Sequence, residues 1–120
     1  ELQPAGLHQA NVWQGDFPNH NSGADGYTGT CPVHVFDVHG LGFANMIGNV
    51  WEWTWDRFTH RHNPNPQTNP TGPLNGEQRV AKGGSFLCHA SYCQRYRTSS
   101  RHPFSPASTS SNIGFRVAAL

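Results

Sequence analysis

The segment Trp51-Glu52-Trp53-Thr54-Trp55-Asp56 alternates strictly between large aromatic and polar side chains. Successive side chains of a strand point to opposite faces. This period of two therefore predicts a strand with Trp51, Trp53 and Trp55 on one face. It is the clearest regular signal in a chain punctuated by 13 Gly and 9 Pro. Glycine, proline and clustered Asn favour turns over long elements. Residues 1–30 read as loop on Asn19, Asn21, Gly23 and Gly26. Residues 33–38 read as a short strand or extended segment, and 43–47 as a short apolar turn. Residues 61–75 are rich in Pro and Asn and read as a surface loop. Arg79 to Lys82 reads as a strand that ends at the Gly83-Gly84 turn. Residues 101–111 read as a Ser/Pro loop and 114–118 as a final strand. No repeat and no helix longer than about two turns is signalled. The fold class is an irregular α+β domain with little regular secondary structure.

At 120 residues the chain allows one domain, residues 1–120, with a core of ordinary size. Charged residues make up 12% of it, about half the usual share of ~25%, so aromatic packing has to carry the body. A net charge of +1 gives no argument for a nucleic-acid or acidic partner. No stretch approaches the roughly 18 apolar residues of a membrane-spanning helix, so no membrane span is expected. No signal peptide is visible at Glu1, although trimming of a chain without Met would hide one. Three cysteines do not make a secreted disulfide framework. Cys31, in Gly29-Thr30-Cys31-Pro32, reads as a small apolar filler.

Chemistry concentrates in the run from Gly83 to Arg97, which carries Cys88 and Cys93 five positions apart. Thiolates suit a soft ion such as Cu(I) or Zn(II), and two thiols can also exchange as a redox pair. A structural disulfide or two buried thiols is the plainer alternative. A zinc site needs four ligands, commonly with closer Cys spacing, and no second Cys pair completes one. On an extended chain His89 points away from Cys88, so it reads as a groove residue rather than a ligand. His60 and His62 lack a third partner at ligand spacing and receive no role.

The same run, GGSFLCHASYCQRYR, resembles the active-site segment of the formylglycine-generating enzymes, the sulfatase-modifying factors. Four more stretches match in the same order: Ala10 to Gly15, Ala24 to Tyr27, Asn45 to Trp53, and Asn112 to Arg116. The resemblance runs from about residue 9 to the end. The elements GNVWEW and NIGFR belong to the wider superfamily, whereas the paired cysteines mark the formylglycine-generating branch. The resemblance implies a C-type-lectin-like fold. It also implies the C-terminal part of a longer catalytic domain. The missing N-terminal part is then expected from a companion fragment or to be compensated by self-association, with Trp53 or Trp55 otherwise left as an apolar patch.

The implied activity is oxidation by molecular oxygen of a cysteine in an unfolded sulfatase Cys-x-Pro-x-Arg segment, through a thioaldehyde, to formylglycine. Cu(I) held by Cys88 and Cys93 is the implied cofactor, and a thiol–disulfide relay fits the sequence as well. Ser85 and Tyr92 are implied hydrogen-bond donors near the sulfurs, and Trp51 a pocket wall. His89, Arg95 and Arg97 are implied substrate-binding residues. Two structural Ca²⁺ sites are also implied. One takes Asn11, Asp25 and the carbonyls of Val12 and Tyr27; the other takes Asn45, Glu52 and the carbonyls of Gly48 and Val50. Such mixed oxygen sets suit calcium. Vertebrate-type structural cysteines would fall at Thr98 and Val117, which favours a reducing, bacterial-type cytoplasm. The contrasting expectation is a non-catalytic binding module or truncated relative, which would have no reason to keep the cysteine pair.

Overall fold

The computed structural model describes residues 2–36 and 40–118. After a short 3-10 turn at Pro4–Gly6, β1 (Gly15–Asp16) and β2 (His20–Asn21) form a small antiparallel hairpin inside the stretch expected to be all loop. Expected strand 33–38 is not one. Val33 to Phe36 turns instead, with the Val35 N–H donating to the Pro32 carbonyl, and Asp37 and Val38 lie outside the described residues.

Four strands build the main sheet: β3 (Trp51–Arg57), β4 (Arg79–Lys82), β5 (His102–Phe104) and β6 (Ile113–Phe115), in the order β5-β4-β3-β6. β4 is antiparallel to both β3 and β5, and β6 runs parallel to β3. Two differences from expectation have physical causes. β5 arises within the Ser/Pro loop because Pro103 sits on an edge strand, where its missing N–H costs the ladder least. The last strand covers residues 113–115 rather than 114–118 because β3 pairs with it over only Trp51 to Trp53.

Burial falls along β3. Trp51 is 4% exposed, Trp53 is half-buried, and Trp55 is 81% exposed. The register shifts after Trp53, and β6 has ended by then, so no element covers Trp55. Instead the Arg79 guanidinium lies over its ring at 5.3 Å. The core gathers Trp51, Ala81, Cys88 and Cys93, with Tyr96, Phe104 and Ile113 packed around them. The loop joining β3 to β4 is closed at its base by the Phe58 N–H on the Gln78 carbonyl.

Candidate active site

Three segments converge on the two thiols. The first is the turn after β4. Gly83 and Gly84 have φ of 88° and 73°, a region open to glycine at little cost. A Cβ on Gly84 would sit 2.9 Å from the Tyr96 nitrogen and 3.2 Å from the Cys88 sulfur, so the site requires glycine there. The second is the run from Gly48 to Trp51. It is stitched to that turn by the Gly48 N–H on the Gly83 carbonyl and the Phe86 N–H on the Asn49 carbonyl. The third begins at Asn11, whose carbonyl accepts from the Asn49 N–H, and continues to Trp13, whose N–H donates to the Cys88 carbonyl at 3.0 Å.

Residues 88–93 are not extended, contrary to expectation. The Cys93 and Tyr92 N–H groups both donate to the His89 carbonyl, at 2.7 and 3.1 Å. This turn folds the chain back and brings the two sulfurs to 2.8 Å. They are unbonded thiols, 2% and 6% exposed. Burial first, then the contact with Cys93, pushes the Cys88 thiol up to about 12, against weaker pulls from the Ser85 backbone hydrogen bond and the Arg95 charge. Cys88 is therefore a neutral thiol at ordinary pH.

Ser85 is fully buried beside this pair. Its Oγ accepts from the Leu87 N–H at 3.3 Å and from Asn112 Nδ2 at 3.2 Å, so its own O–H is free to donate. Trp51 belongs to the same buried cluster as both cysteines, with His102 and Phe104 rings 5.4 and 5.8 Å from its own. Tyr92 is placed otherwise: it is 68% exposed and stacked on Phe17. The tyrosine packed on the thiol cluster is Tyr96, its hydroxyl raised by burial and by the neighbouring thiols. His89 is half-buried, with Nδ1 2.7 Å from Ser91 Oγ. It lines a cavity of about 190 Å³ with Cys88, Trp13 and Tyr96. Arg95 and Arg97 are exposed and do not line that cavity. Tyr96, His102 and Asn112 escaped the sequence reading. Tyr96 and Asn112 had a signal, as parts of the matched runs GGSFLCHASYCQRYR and NIGFR, but no role went with either; His102 had none.

Each oxygen-rich set is joined in part: Asp25 holds Val12 and Tyr27 in the first, and Arg116 links Glu52 to the Asn45 carbonyl in the second. Asp25 accepts the Val12 N–H on one oxygen at 3.0 Å and the Tyr27 N–H on the other at 3.1 Å. Each oxygen keeps a further lone pair for a cation. Asn11 Nδ2 donates to the Gly29 carbonyl and to Asn49 Oδ1. Asn49 also takes the Cys31 N–H and returns Nδ2 to its carbonyl. In the second set Asn45 Nδ2 donates to the Pro32 and Val33 carbonyls, while its buried Oδ1 has no hydrogen-bond partner. A buried oxygen without a partner among the described residues fits a hard cation. Glu52, in the same set, is held by Arg116 at 2.6 Å, which also reaches the Ala44 and Asn45 carbonyls. For copper, the donor chemistry of two buried thiols fits a soft ion. At about 2.3 Å per metal–sulfur bond, the sulfurs would have to part from their present contact to admit it. Among the described residues no group of three or more His, Cys, Asp or Glu gathers as a metal cluster.

A buried thiol pair in one core cluster with Trp51, on a mostly irregular sheet domain, is the arrangement to set beside the sulfatase-modifying family. Residues 1–119 match the sulfatase-modifying factor enzyme 1-like domain, and the chain belongs to that family. It is 53% identical over 119 residues to the formylglycine-generating enzyme of Mus musculus, covering 99% of this chain and 32% of that one. It is 50% identical over 123 residues to the formylglycine-generating enzyme of Thermomonospora curvata, covering 99% and 41%. Among solved structures, PvdO from Pseudomonas aeruginosa superposes with a TM-score of 0.72 at 25% identity, over 89% of this chain and 37% of that one. The chain thus spans well under half the length of the curated relatives it matches.

Proposed function

We propose that this chain carries the thiol site of an enzyme that converts a cysteine in a sulfatase Cys-x-Pro-x-Arg segment to formylglycine with molecular oxygen. The observation that supports it most is the contact of Cys88 and Cys93 at 2.8 Å, buried in one cluster with Trp51. Cys88 and Cys93 would hold copper, which when bound supplies one-electron oxygen chemistry. Because Cys88 is protonated when free, loading the metal must release its proton. The substrate cysteine loses two hydrogens to give a thioaldehyde, its electrons passing to oxygen. Water then replaces the sulfur, which leaves as hydrogen sulfide. Trp51 and the buried turn around Ser85 exclude bulk water from the sulfurs, and the Ser85 O–H, unspent on other partners, is available to a reacting sulfur or oxygen. His89, which lines the cavity, and the exposed Arg95 and Arg97 would bind the substrate peptide. The two oxygen-rich sets would hold structural calcium.

The test is intact-mass analysis of a Cys-x-Pro-x-Arg peptide incubated with the chain, copper and oxygen. Exchange of a thiol for an aldehyde lowers the mass by about 18 Da. A second reading, a non-catalytic module of the same superfamily, draws on the chain's spanning only part of its relatives. An unchanged peptide mass with folded protein and intact thiols favours that module.

A further inference from the structure

The turn that joins the two sulfurs is thinly covered. Ala90, Ser91 and Tyr92 are all exposed, and its closure rests on one carbonyl, that of His89. From one side it is held by the β1–β2 hairpin. Phe17 heads the tight turn of that hairpin and is half-buried. Its ring lies 4.7 Å from Tyr92 at 15° and 6.4 Å from His89 at 5°, so it is nearly parallel to both. Trp13 stands edge-on to Phe17 at 5.2 Å and 77°, and its own N–H fixes the Cys88 carbonyl. Phe17 in the hairpin and Trp13 just before it thus grip the turn at three points: Cys88, His89 and Tyr92. Flat rings of this kind have defined facing geometry that an aliphatic side chain does not reproduce.

We propose that Phe17 is a positioning residue for the thiol pair: its ring, stacked on His89 and Tyr92, holds the turn in the shape that keeps Cys88 and Cys93 in contact. The proposal rests on the reading that these two thiols are the working pair. It concerns how readily they meet, which is measurable without turnover. Pre-organised thiols close a disulfide at little entropic cost, and a loosened turn raises that cost.

The experiment equilibrates the full chain, without metal, substrate or oxygen, against mixtures of reduced and oxidised dithiothreitol. In this exchange the two thiol hydrogens and two electrons pass to the oxidised reagent, which opens to its dithiol. Acid quenching, alkylation and peptide mass mapping give the fraction of Cys88–Cys93 disulfide. Phe17→Ala is expected to lower the closure constant about tenfold, equivalent to about 30 mV toward easier reduction. Phe17→Tyr, which keeps the ring, should stay within about twofold of the parent, and Phe17→Leu, which keeps bulk without a flat face, should fall at least about threefold. Should the alanine variant fail to fold, the leucine variant decides. A parent-like constant in Phe17→Leu, or an equal fall in Phe17→Tyr, overturns the proposal. Because neither metal nor peptide is present, this outcome is separate from whether the chain makes formylglycine.

Discussion

At the scale of single residues, the thiol pair is both part of the core and the proposed seat of the chemistry, and the two roles separate on substitution. Cysteine and serine differ by one atom of modest size. Cys88→Ser or Cys93→Ser should therefore leave the circular dichroism spectrum unchanged while abolishing formylglycine formation, since one thiolate cannot hold a two-coordinate soft ion. Near-parent turnover by either variant without copper would sink the copper assignment. The pair was legible in the sequence because two thiols in one short run have few uses. Its surroundings were not. Tyr96 and Tyr92 stand four positions apart with the same chemistry, and only the turn closed on the His89 carbonyl decides that Tyr96 packs on the sulfurs and Tyr92 on Phe17. Asn49 is another case. In the sequence it is one more turn-forming asparagine, yet it is buried and bridges Asn11 to both backbone groups of Cys31, 18 positions away.

At the scale of elements, β3 and β4 were readable because alternation and a glycine stop are local signals, whereas β5 was hidden by the Pro and Ser residues around it. Pairing with β4 overrides that composition, and it carries His102 against Trp51. Burial, assisted by the Arg95 charge, holds the His102 imidazole below the usual histidine range. The folded state then resists a proton that the unfolded chain accepts. Well above about pH 6.5 both states are neutral and the effect vanishes; as pH falls toward and below it the unfolded state binds more protons, so stability falls, by at most about 1.4 kcal/mol per unit. Urea denaturation across pH 7 to 5 should show this slope, and His102→Gln should flatten it; an equal slope in the variant would assign it elsewhere. The glycine turn after β4 gives a sharper test. Gly84→Ala combines a φ of 73° with a Cβ 2.9 Å from the Tyr96 backbone. A loss of about 2–3 kcal/mol is expected, with faster alkylation of Cys88 as the turn shifts. Parent-like stability and alkylation would mean that the backbone there adjusts without cost.

At the scale of the whole molecule, a small sheet with little regular structure around it depends on polar staples and on whatever covers its apolar edges. Trp55, 81% exposed, borders a hollow of about 290 Å³ with Trp53, Arg79 and Pro106. Exposed aromatic faces of this kind favour association. The isolated chain is therefore expected to elute ahead of a monomer in size-exclusion chromatography at high concentration, and Trp55→Ser to delay it; monomeric elution of the parent would show that the face needs no cover. The staples lead to the final prediction. Asn45 Oδ1 is buried without a donor, and the Asp25 carboxylate spends only one hydrogen bond on each oxygen. Both are costs in the bare fold and assets to a hard cation. Their positions also tie together the segments that seat the thiol turn, because Asn11 and the 45–50 run contact it directly or through Asn49. Calcium that binds the folded state alone adds about 2.7 kcal/mol at a hundredfold excess over Kd. For a chain of this size that is roughly 10 °C in Tm. Differential scanning calorimetry with calcium and then with a chelator should show that difference, reversibly. The effect should persist in Cys88→Ser, since the oxygen sets do not include sulfur. An unchanged Tm on chelation would leave the orphaned Asn45 oxygen as a plain cost of the fold and remove calcium from both sets.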